Sequence, residues 1–532
     1  MLSLKTIKME FLQGISAREY QERIFQVCIE KNCLVVLPTG LGKTLIALML
    51  TIERMKKFPG EKAVFLAPTK PLAEQHLTYF KKHLPELFGS LELFTGEVPA
   101  GKRKDLWDSA DIVFSTPQCV ANDIVHNLYN LEGVCLLIED EAHRCVKNYS
   151  YTYVAKKYIE TSKHPRILGL TASPGSEAAK IREICKNLSI ESVELRTRDS
   201  PDVAQYLQEL EFEKVILDLP EKFQKIRESL LKLFHKYVDE LRNRKVFFGA
   251  PTKTELINLQ KRLILDIAKG NKNYNTLLSS GACAQAVKLQ HCLELLETQT
   301  LLGFNKYLRD LFSQAAKKQS KSVVKLVSTP EFGFAFAVSN ELLALGHEHP
   351  KIKALKNIVE KEIAENPKIK IIVFSQFRET ARIVCKNLNN IKGIKAKVFV
   401  GQAKKAVTSY DSKEKDEMSG LSQKEQKEII NEFSGREVNV LCATSIGEEG
   451  LDIPEVNIVV FYEPVASAIR AIQRAGRTAR LMKGKLIMLI TRKTRDEAYF
   501  YASRIKERKM HSAISDVRGT LGNKSSEDIQ KS

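Results

Sequence analysis

The stretch Leu37-Pro38-Thr39-Gly40-Leu41-Gly42-Lys43-Thr44 connects a short apolar run that begins at Cys33 to a segment, Leu45–Met55, with the apolar spacing of a helix. A strand, a glycine-bearing turn and a helix in that order form a phosphate-binding loop, because N–H groups at a helix N-terminus point at the anion. In such a loop the lysine reaches the β- and γ-phosphates and the hydroxyl residue binds Mg²⁺. We therefore expect Pro38–Thr44 to bind a nucleotide, although Leu37 replaces the glycine with which the general pattern opens.

The chain has 532 residues, enough for about three domains. Its 83 Lys and Arg against 64 Asp and Glu give a formal charge of +19, which favours a polyanionic partner, although a basic charge can also serve solubility alone. The ten cysteines are scattered singly without a C-x-x-C pair, so we interpret them as reduced core residues. There is no signal-peptide pattern and no apolar run of the ~18 residues that a membrane span needs. We expect a soluble, cytoplasmic protein with no membrane contact.

Three apolar runs after the loop end in small hydroxyl residues. Ala63–Ala67 is followed by Thr69 and Lys70, Leu91–Phe94 by Thr95 and Gly96, and Asp111–Phe114 by Thr116. The carboxyl ends of strands in an open parallel sheet line the ligand crevice. We expect these five polar and glycine positions to hold successive phosphates of a nucleic-acid strand, although each alone also fits ordinary turn chemistry.

The most continuous apolar run, Val134–Glu139, leads into Asp140-Glu141-Ala142-His143. An aspartate at a strand tip can hold Mg²⁺ through water, and the adjacent Glu141 can orient and deprotonate the attacking water. A further strand, Ile167–Leu170, ends at Thr171-Ala172-Ser173. Together with the phosphate loop, the carboxylate pair predicts an NTPase.

Arg18 and Gln21 open an amphipathic helix ahead of the loop. The Gln21 amide can pair with N6 and N7 of adenine, which makes Gln21 a candidate adenine contact. An ordinary helix-surface glutamine is the alternative.

The middle of the chain changes character. Glu211–Leu219 alternates like a strand and is compatible with the sheet of a second lobe. Glu221–Gly346 has mainly helical periodicity, with basic clusters at 242–245 and 317–325. These clusters either contact a duplex or form a solvated face. We expect Phe332, Phe334 and Phe336 to pack rather than to stack on bases.

From Pro350 the pattern becomes α/β again. Ile371–Phe374 ends at Ser375-Gln376, Ala396–Val400 ends at Gly401-Gln402, and Val438–Cys442 leads through Thr444 to Gly450-Leu451-Asp452. Residues 403–420 have the composition of a mobile loop, and Ser422 with Glu425 forms a capping box. In Gln473-Arg474-Ala475-Gly476-Arg477-Thr478-Ala479-Arg480, the planar guanidinium groups of Arg477 and Arg480 suit a γ-phosphate contact across a cleft.

Taken together, Gly40–Thr44, Ala67–Leu72, Asp140–His143 and Thr171–Ser173 resemble the ordered motifs of superfamily 2 helicases of the DEAH-box type. The resemblance implies two RecA-like parallel-sheet domains with ATP and Mg²⁺ between them. The implied ATP site comprises Arg18, Gln21, Pro38–Thr44, Asp140 and Glu141 of the first domain and Gly450, Asp452, Gln473, Arg477 and Arg480 of the second. The implied nucleic-acid path comprises Thr69, Lys70, Thr95, Gly96, Thr116, Ser375, Gln376 and Thr444.

The helical insertion between the two halves resembles the archaeal Hef and Fanconi anaemia M group and is shared in outline with RIG-I-like and Dicer helicases. The resemblance implies a first RecA-like domain at 1–205, a mainly helical insertion at 206–349, a second RecA-like domain at 350–510 and a flexible tail at 511–532. Glu507-Arg508-Lys509 begins the XPF-type nuclease signature, but Ala513 stands where that signature has aspartate. We therefore expect the helicase part without a nuclease.

This group implies an ATP-dependent helicase or translocase acting on forked or branched DNA in the repair of stalled replication forks. Nuclease or sliding-clamp proteins are the expected protein partners, and a monomer or weak dimer is the expected state. Two alternatives remain: an ATPase stimulated by double-stranded RNA, and a nucleic-acid-binding scaffold that does not hydrolyse ATP. Intact Lys43, Glu141, Arg477 and Arg480 argue against the scaffold.

Overall fold

The computed structural model describes residues 11–147, 149–197, 200–206, 210–401, 420–444, 456–464 and 484–529. These residues form two parallel sheets with a bundle of helices between them in the chain. The predicted fold class, two parallel-sheet domains with a helical insertion, is confirmed.

The first lobe is a sheet of seven strands in the order β3-β4-β2-β5-β6-β1-β7. Its strands are β1 (Cys33–Val36), β2 (Lys62–Leu66), β3 (Leu91–Phe94), β4 (Ile112–Ser115), β5 (Val134–Asp140), β6 (Ile167–Thr171) and β7 (Ser192–Leu195). Its helices are α1 (Glu19–Glu30), α2 (Lys43–Lys57), α3 (Lys70–His83), α4 (Ala100–Ser109), α5 (Pro117–Val125), α6 (Ser150–Thr161), α7 (Ala178–Asn187) and α8 (Pro201–Ala204). Alternate residues of β1 enter two different apolar clusters, Cys33 and Val35 one, Leu34 and Val36 the other. Both faces of the sheet are therefore covered, which explains why its strands are continuous apolar runs.

The insertion consists of six helices around one apolar core. They are α9 (Glu221–Asn243), α10 (Lys253–Ala268), α11 (Tyr274–Thr298), α12 (Leu301–Ala316), α13 (Lys321–Val327) and α14 (Pro330–Ala344). Thr252, Asn273 and Thr300 accept a backbone N–H at the starts of α10, α11 and α12, so local capping defines these helices. Phe332 and Phe336 pack against Phe312 at ring distances of 5.7 and 4.6 Å. The prediction that they pack is confirmed for these two rings, whereas Phe334 is 44% exposed.

The second lobe is a sheet of six strands in the order β10-β11-β9-β12-β13-β8. Its strands are β8 (Leu210–Leu217), β9 (Ile371–Ser375), β10 (Ala396–Phe399), β11 (Val440–Thr444), β12 (Ile458–Phe461) and β13 (Gly484–Thr491), and its helices include α15 (Pro350–Glu365), α16 (Arg378–Leu388) and α17 (Gln423–Ser434). β8 pairs in parallel with β13 along its full length. The alternating run before the insertion is thus a strand of the second lobe. The boundary at 206 predicts that residues 210–217 belong to the insertion, and the structure places them in the second-lobe sheet instead. The capping box of Ser422 and Glu425 is present at the start of α17.

A buried polar cluster, here called the insertion junction, joins the insertion to the second lobe. Lys351 Nζ, at the start of α15, lies 2.5 Å from Asp496 Oδ2, and both side chains are fully buried. The same ammonium donates to the carbonyl of Thr298 at the end of α11, over 3.1 Å. Next to them, Arg227 of α9 pairs with Glu297 at 2.6 Å. Three separate parts of the chain therefore meet at one ion-paired cluster.

The last helix, α18 (Arg495–Ile529), connects the second lobe to the first. Near its start Phe500 stacks with Phe212 of β8 at 6.5 Å. Further along, four apolar side chains at helical spacing are buried in a first-lobe core cluster: Met510, Ala513, Ile514 and Val517. The prediction of a flexible tail from residue 511 is wrong for 511–517, because these side chains have a hydrophobic surface to bury against.

All ten cysteines are free and buried, as predicted. Over the described ranges, no helix has the length and apolar character needed to cross a bilayer.

Candidate nucleotide and nucleic-acid sites

The phosphate loop lies between β1 and α2. Gly40 and Gly42 have φ of 90° and 74°, a conformation that glycine adopts without steric cost. A Cβ atom on Gly42 would lie 2.2 Å from Gln21 Nε2, so the position also excludes side chains for lack of space. Lys43 Nζ donates to the carbonyl of Leu37 over 2.8 Å. Leu37, the departure from the general pattern, thus contributes its backbone to the loop while its side chain is buried.

Helix α1 holds this loop from outside. Gln21 Nε2 donates to the carbonyls of Leu41 and Gly42 over 3.1 and 3.4 Å, and its Oε1 accepts the N–H of Arg18 over 2.9 Å. Tyr20 donates its hydroxyl to the carbonyl of Leu41 over 2.8 Å. Gln21 is 3% exposed, so it is not a surface glutamine. Its contact with adenine stays a prediction, whereas its contact with the loop is direct.

Asp140 ends β5 with a partner that the sequence reasoning missed. His76 Nε2 lies 2.9 Å from Asp140 Oδ2, and both side chains are about nine-tenths buried. The imidazole ring also packs against Phe65 at 4.3 Å. A signal for this residue does exist in the sequence, because Ala73, His76 and Phe80 follow the spacing of one buried helix face. The histidine fixes one carboxylate oxygen of Asp140.

Glu141 follows in a left-handed conformation, with φ of 53°. Such backbone strain in a non-glycine residue is typical of functional sites. His143 Nδ1 lies 3.1 Å from Glu141 Oε2 and 3.2 Å from Thr171 Oγ1. Tyr151 donates its hydroxyl to the carbonyl of Asp140 over 2.7 Å. The carboxylate motif is therefore connected to the Thr171–Ser173 motif, and Glu141 is oriented by the histidine two residues after it.

The third acidic residue in this run, Glu139, has a different environment. Its side chain is completely buried, and burial raises the pKa of its carboxyl well above the usual range. Burial therefore disfavours the charged form of the Glu139 carboxyl.

A divalent cation fits the donor set at this edge of the sheet. Thr44 is the second residue of α2, after β1, and Asp140 is the last residue of β5, so both lie at the carboxyl edge of the first-lobe sheet. Hydroxyl and carboxylate oxygens are the ligands that Mg²⁺ prefers. The His76 contact involves only one Asp140 oxygen, which leaves Oδ1 for a metal-bound water.

The predicted nucleic-acid contacts of the first lobe lie on adjacent strands. Thr95 and Thr116 come directly after β3 and β4, and Thr69 follows the end of β2 by three positions; these three strands are neighbours in the sheet. Thr69 and Thr116 are also the residues that precede α3 and α5. Lys70 pairs with Glu74 at 3.6 Å and with Glu97, so its ammonium is shared with acidic side chains.

In the second lobe, Ser375 and Thr444 are direct register partners at the ends of β9 and β11. Thr444 Oγ1 is buried and has no hydrogen-bond partner among the described residues. Gln376 donates its N–H to Glu463. The structure brings these three predicted positions together at one edge of the second sheet. Gly450, Asp452, Gln473, Arg477 and Arg480 lie outside the described residues, as does Gln402.

The two lobes face each other near the phosphate loop. A cavity of 520 Å³ is lined by Thr44, by the α3 residues Glu74, His76 and Tyr79, and by Lys427 and Asn431 of α17. Across it Lys427 Nζ lies 3.6 Å from Glu74 Oε2. The carboxyl edge of the first-lobe sheet is therefore covered in part by the second lobe.

Comparison with known proteins agrees with this geometry. The DEAD/DEAH box helicase model matches residues 18–181, the helicase conserved C-terminal domain matches residues 350–482, and a model described as "Putative ATP-dependent RNA helicase, helical bundle" matches residues 222–342. One similar protein is "Putative ATP-dependent RNA helicase MJ1505" of Methanocaldococcus jannaschii, which is 38% identical over 94% of this chain and 61% of that protein. Another is "DEAD-box ATP-dependent DNA helicase Fancm" of Drosophila melanogaster, which is 31% identical over 90% of this chain and 33% of that protein. The chain thus spans about three fifths of the first relative and a third of the second.

A solved structure is similar over its full length. The crystal structure of the Pyrococcus furiosus Hef helicase domain superposes with a TM-score of 0.71 at 41% identity, and the match covers 91% of this chain and 98% of that domain. Because identity and coverage are both high over one complete helicase domain, the chain belongs to the Hef helicase family.

Proposed function

We propose that the chain is an ATP-dependent DNA helicase or translocase that moves on, and unwinds or remodels, forked and branched DNA in the repair of stalled replication forks. The observation that carries the proposal is the catalytic edge of the first lobe, where a phosphate loop and two oriented carboxylates lie on one sheet. Relatives named as ATP-dependent DNA helicases support the choice of DNA. The charge of +19 supports a polyanionic partner.

The chemistry follows from the chain's own residues. Lys43 faces the β- and γ-phosphates and balances their charge. Glu141, oriented by His143, takes a proton from the water that attacks the γ-phosphate. Thr44 and Asp140 would hold Mg²⁺, which supplies further charge neutralisation when bound. Arg477 and Arg480 complete the site from the second lobe, where a bidentate guanidinium stabilises the transferring phosphoryl group.

Movement along the nucleic acid follows from two separate sets of contacts, or grips, with one strand. Thr69, Thr95 and Thr116 hold it on the first lobe, and Ser375 with Thr444 holds it on the second. Closure with ATP and opening after hydrolysis change the distance between the grips, which moves the strand. Because the contacts are with phosphates, sequence preference should be slight.

ATP hydrolysis measured with single-stranded, duplex, forked and four-way DNA and with matching RNA tests the proposal. We expect the highest rate on DNA with a branch. Lys43→Ala should abolish hydrolysis, and Glu141→Gln should retain ATP binding with a rate lower by ~10²–10⁴-fold. Arg480→Ala should lose ~10³-fold or more if it contacts the γ-phosphate. Lys57→Ala, an exposed lysine at the other end of α2, is the matched control.

Each alternative has its own result. Stimulation by duplex RNA and not by DNA would favour the RNA-dependent ATPase. A parent protein that binds DNA but hydrolyses no ATP would favour the passive scaffold. Near-parental hydrolysis by Lys43→Ala would contradict the phosphate-loop assignment.

We also propose that the insertion recognises the shape of the DNA substrate. Four exposed lysines would contact the phosphates of a duplex arm: Lys317, Lys318, Lys321 and Lys325. Each phosphate that they neutralise should contribute about −0.9 to the log–log salt dependence of fork binding. Replacing all four by alanine should flatten that slope while ATP hydrolysis on single strands stays near the parent rate. Equal losses on forked and single-stranded DNA would instead give the insertion a purely structural role.

A further inference from the structure

One end of the insertion exposes two aromatic rings. This end, here called the insertion tip, comprises residues 244–249 after α9 and residues 269–274, which connect α10 to α11 and include the first residue of α11. Phe248 is 81% exposed and Tyr274 is 78% exposed, which makes them the two most exposed aromatic side chains in the described ranges. Phe247, the preceding residue, is 5% exposed and belongs to the core of the bundle. The bundle is therefore filled without these two rings.

The two parts of the tip are in contact with each other. Arg244 Nη1 donates to Asn275 Oδ1, beside Tyr274, over 3.2 Å. Arg262 of α10 donates to the carbonyl of Val246 over 2.7 Å. A cavity of 630 Å³ lies between the two parts of the tip. It is lined by residues 245–249 together with Asp266 and Thr276. Phe248 lies on the rim of this cavity, at the same end of the bundle as Tyr274.

The tip is also basic. Near the tip the cations are Arg242, Arg244, Lys245, Lys261, Arg262, Lys269 and Lys272, and the acids are Glu255 and Asp266, whereas Lys253 at the start of α10 pairs with Glu294. Lys245, Lys261, Lys269 and Lys272 are exposed. Arg242 and Arg244 pair with Asp239 and Glu240 on the preceding turn of α9. A clear excess of positive charge therefore surrounds the two rings.

Exposed aromatic rings among cations match the chemistry of unpaired nucleotides. Bases stack on aromatic faces while lysine and arginine contact the phosphates, and neither interaction depends on base identity. A paired duplex offers its phosphates but keeps its base faces stacked inside, so it would use the cations and not the rings. A second copy of this chain is disfavoured, because a twofold contact would bring two basic tips together.

We propose that the insertion tip binds unpaired bases at the branch point of the nucleic acid, with Phe248 and Tyr274 as stacking residues. This inference rests on the proposed function, in which the insertion contacts branched DNA. It adds a site for the displaced bases beside the lysines that hold a duplex arm. The tip is thus distinct from the strand path across the two lobes.

Forked DNA carrying 2-aminopurine in the unpaired bases next to the junction tests the inference, with the full chain and a non-hydrolysable ATP analogue. Stacking on a ring should quench the fluorescence of the parent complex. The double variant Phe248→Ala/Tyr274→Ala should lose this quenching and bind the fork on the order of tenfold or more weakly. Phe248→Tyr and Tyr274→Phe should retain both signals, because the ring is kept. Tyr501→Ala, at an exposed aromatic of α18 that is 58% exposed, is the matched control.

The outcomes separate this inference from the proposed function. Unchanged quenching and affinity in the double variant, with a parent that binds forks, would overturn the stacking site and leave the helicase proposal standing. A parent without DNA-stimulated ATP hydrolysis would overturn the proposed function itself. Normal fork binding by the double variant, together with loss of parental self-association in sedimentation, would assign the tip to a second copy and also overturn the inference.

Discussion

The insertion junction and the contact between the two lobes differ in chemistry. At the junction Lys351, Asp496 and the Thr298 carbonyl meet without solvent. Between the lobes, the described contacts include the apolar face of α18 on the first lobe and the Lys427–Glu74 pair, whose side chains are 65% and 32% exposed. Breaking a buried ion pair leaves an uncompensated charge, whereas an exposed pair contributes little. The ion pair of the insertion junction is therefore expected to contribute far more to stability than the exposed ion pair between the lobes.

The largest effect should come from breaking the junction. Lys351→Met leaves Asp496 buried without its cation, and we expect a loss of about 3–5 kcal/mol in the free energy of unfolding. Denaturant unfolding of the second lobe and insertion measures it. Lys397→Met, at the half-exposed Lys397–Glu432 pair, is the control and should cost at most about 1 kcal/mol.

The double variant Lys351→Met/Asp496→Leu sharpens this test, since removing both charges should recover most of the lost stability. A loss in the single variant no larger than in the Lys397 control would show that the two regions do not differ as described.

A smaller effect should follow at the apolar face of α18. Ile514→Ala removes a side chain that is 1% exposed, at an expected cost of about 2–4 kcal/mol. We expect this cost to appear as faster hydrogen exchange in residues 510–517, with exchange at the end of α11 unchanged. Ser515→Ala, on the exposed side of the same turn, should leave both regions as in the parent. Faster exchange throughout the second lobe would contradict the independence of the two contacts.

The junction should also depend on pH. Glu463 is buried beside it, and desolvation raises the pKa of its carboxyl to about 7 from 4.5, despite the opposing charge of Lys351. The folded state then binds more protons than the unfolded state between these values, so stability falls as the pH rises from about 4.5 to 7 and stays lower above. Glu463→Gln should remove this dependence and be more stable than the parent by about 1–3 kcal/mol at pH 8, with little difference at pH 5.

Unfolding curves at pH 5, 6, 7 and 8 measure this difference, and Glu437→Gln, an exposed glutamate of the same lobe, is its control. Parallel pH profiles for the parent and Glu463→Gln would mean that Glu463 ionises normally in the folded state.

The smallest effect should come from the exposed pair between the lobes. Lys427→Ala should change stability by less than about 1 kcal/mol, because solvent screens both charges. A measurable change in the salt dependence of unfolding, compared with Lys424→Ala on the same helix, would show that this pair holds the lobes together more firmly than its exposure indicates.

The motifs were readable from the sequence because each forms locally. The phosphate loop, Asp140 and Glu141 depend on residues within a few positions of one another, and so does the capping box at Ser422. The partners of these residues were not readable in the same way. His76 meets Asp140 across 64 positions, and Lys351 meets Asp496 because the start of α15 lies next to the residues that follow β13. Such contacts follow from topology, which single-sequence patterns do not contain.

Helix α18 shows the same limit from the other side. Its apolar residues have helical spacing, but the sequence does not show which surface they cover. Residues 511–532 were therefore predicted to be a flexible tail. The strands β12 and β13 were missed for a related reason, because a buried run in a parallel sheet has no alternation to distinguish it. Strand β7 was also not predicted, and the boundaries of the remaining strands differ from prediction by at most two residues.

Helix α18 also acts as a strut of fixed length. Between Phe500 on the second lobe and Ile514 on the first it rises by roughly 21 Å, and an intact helix neither stretches nor shortens. The distance between the lobes along the axis of α18 is therefore fixed, and any relative motion of the lobes has to be a rotation about the two ends of this helix. The first-lobe end lies at Met510, whose sulfur accepts the Ser173 hydroxyl over 3.2 Å. This end of the helix is thus set against the motif whose Thr171 contacts His143.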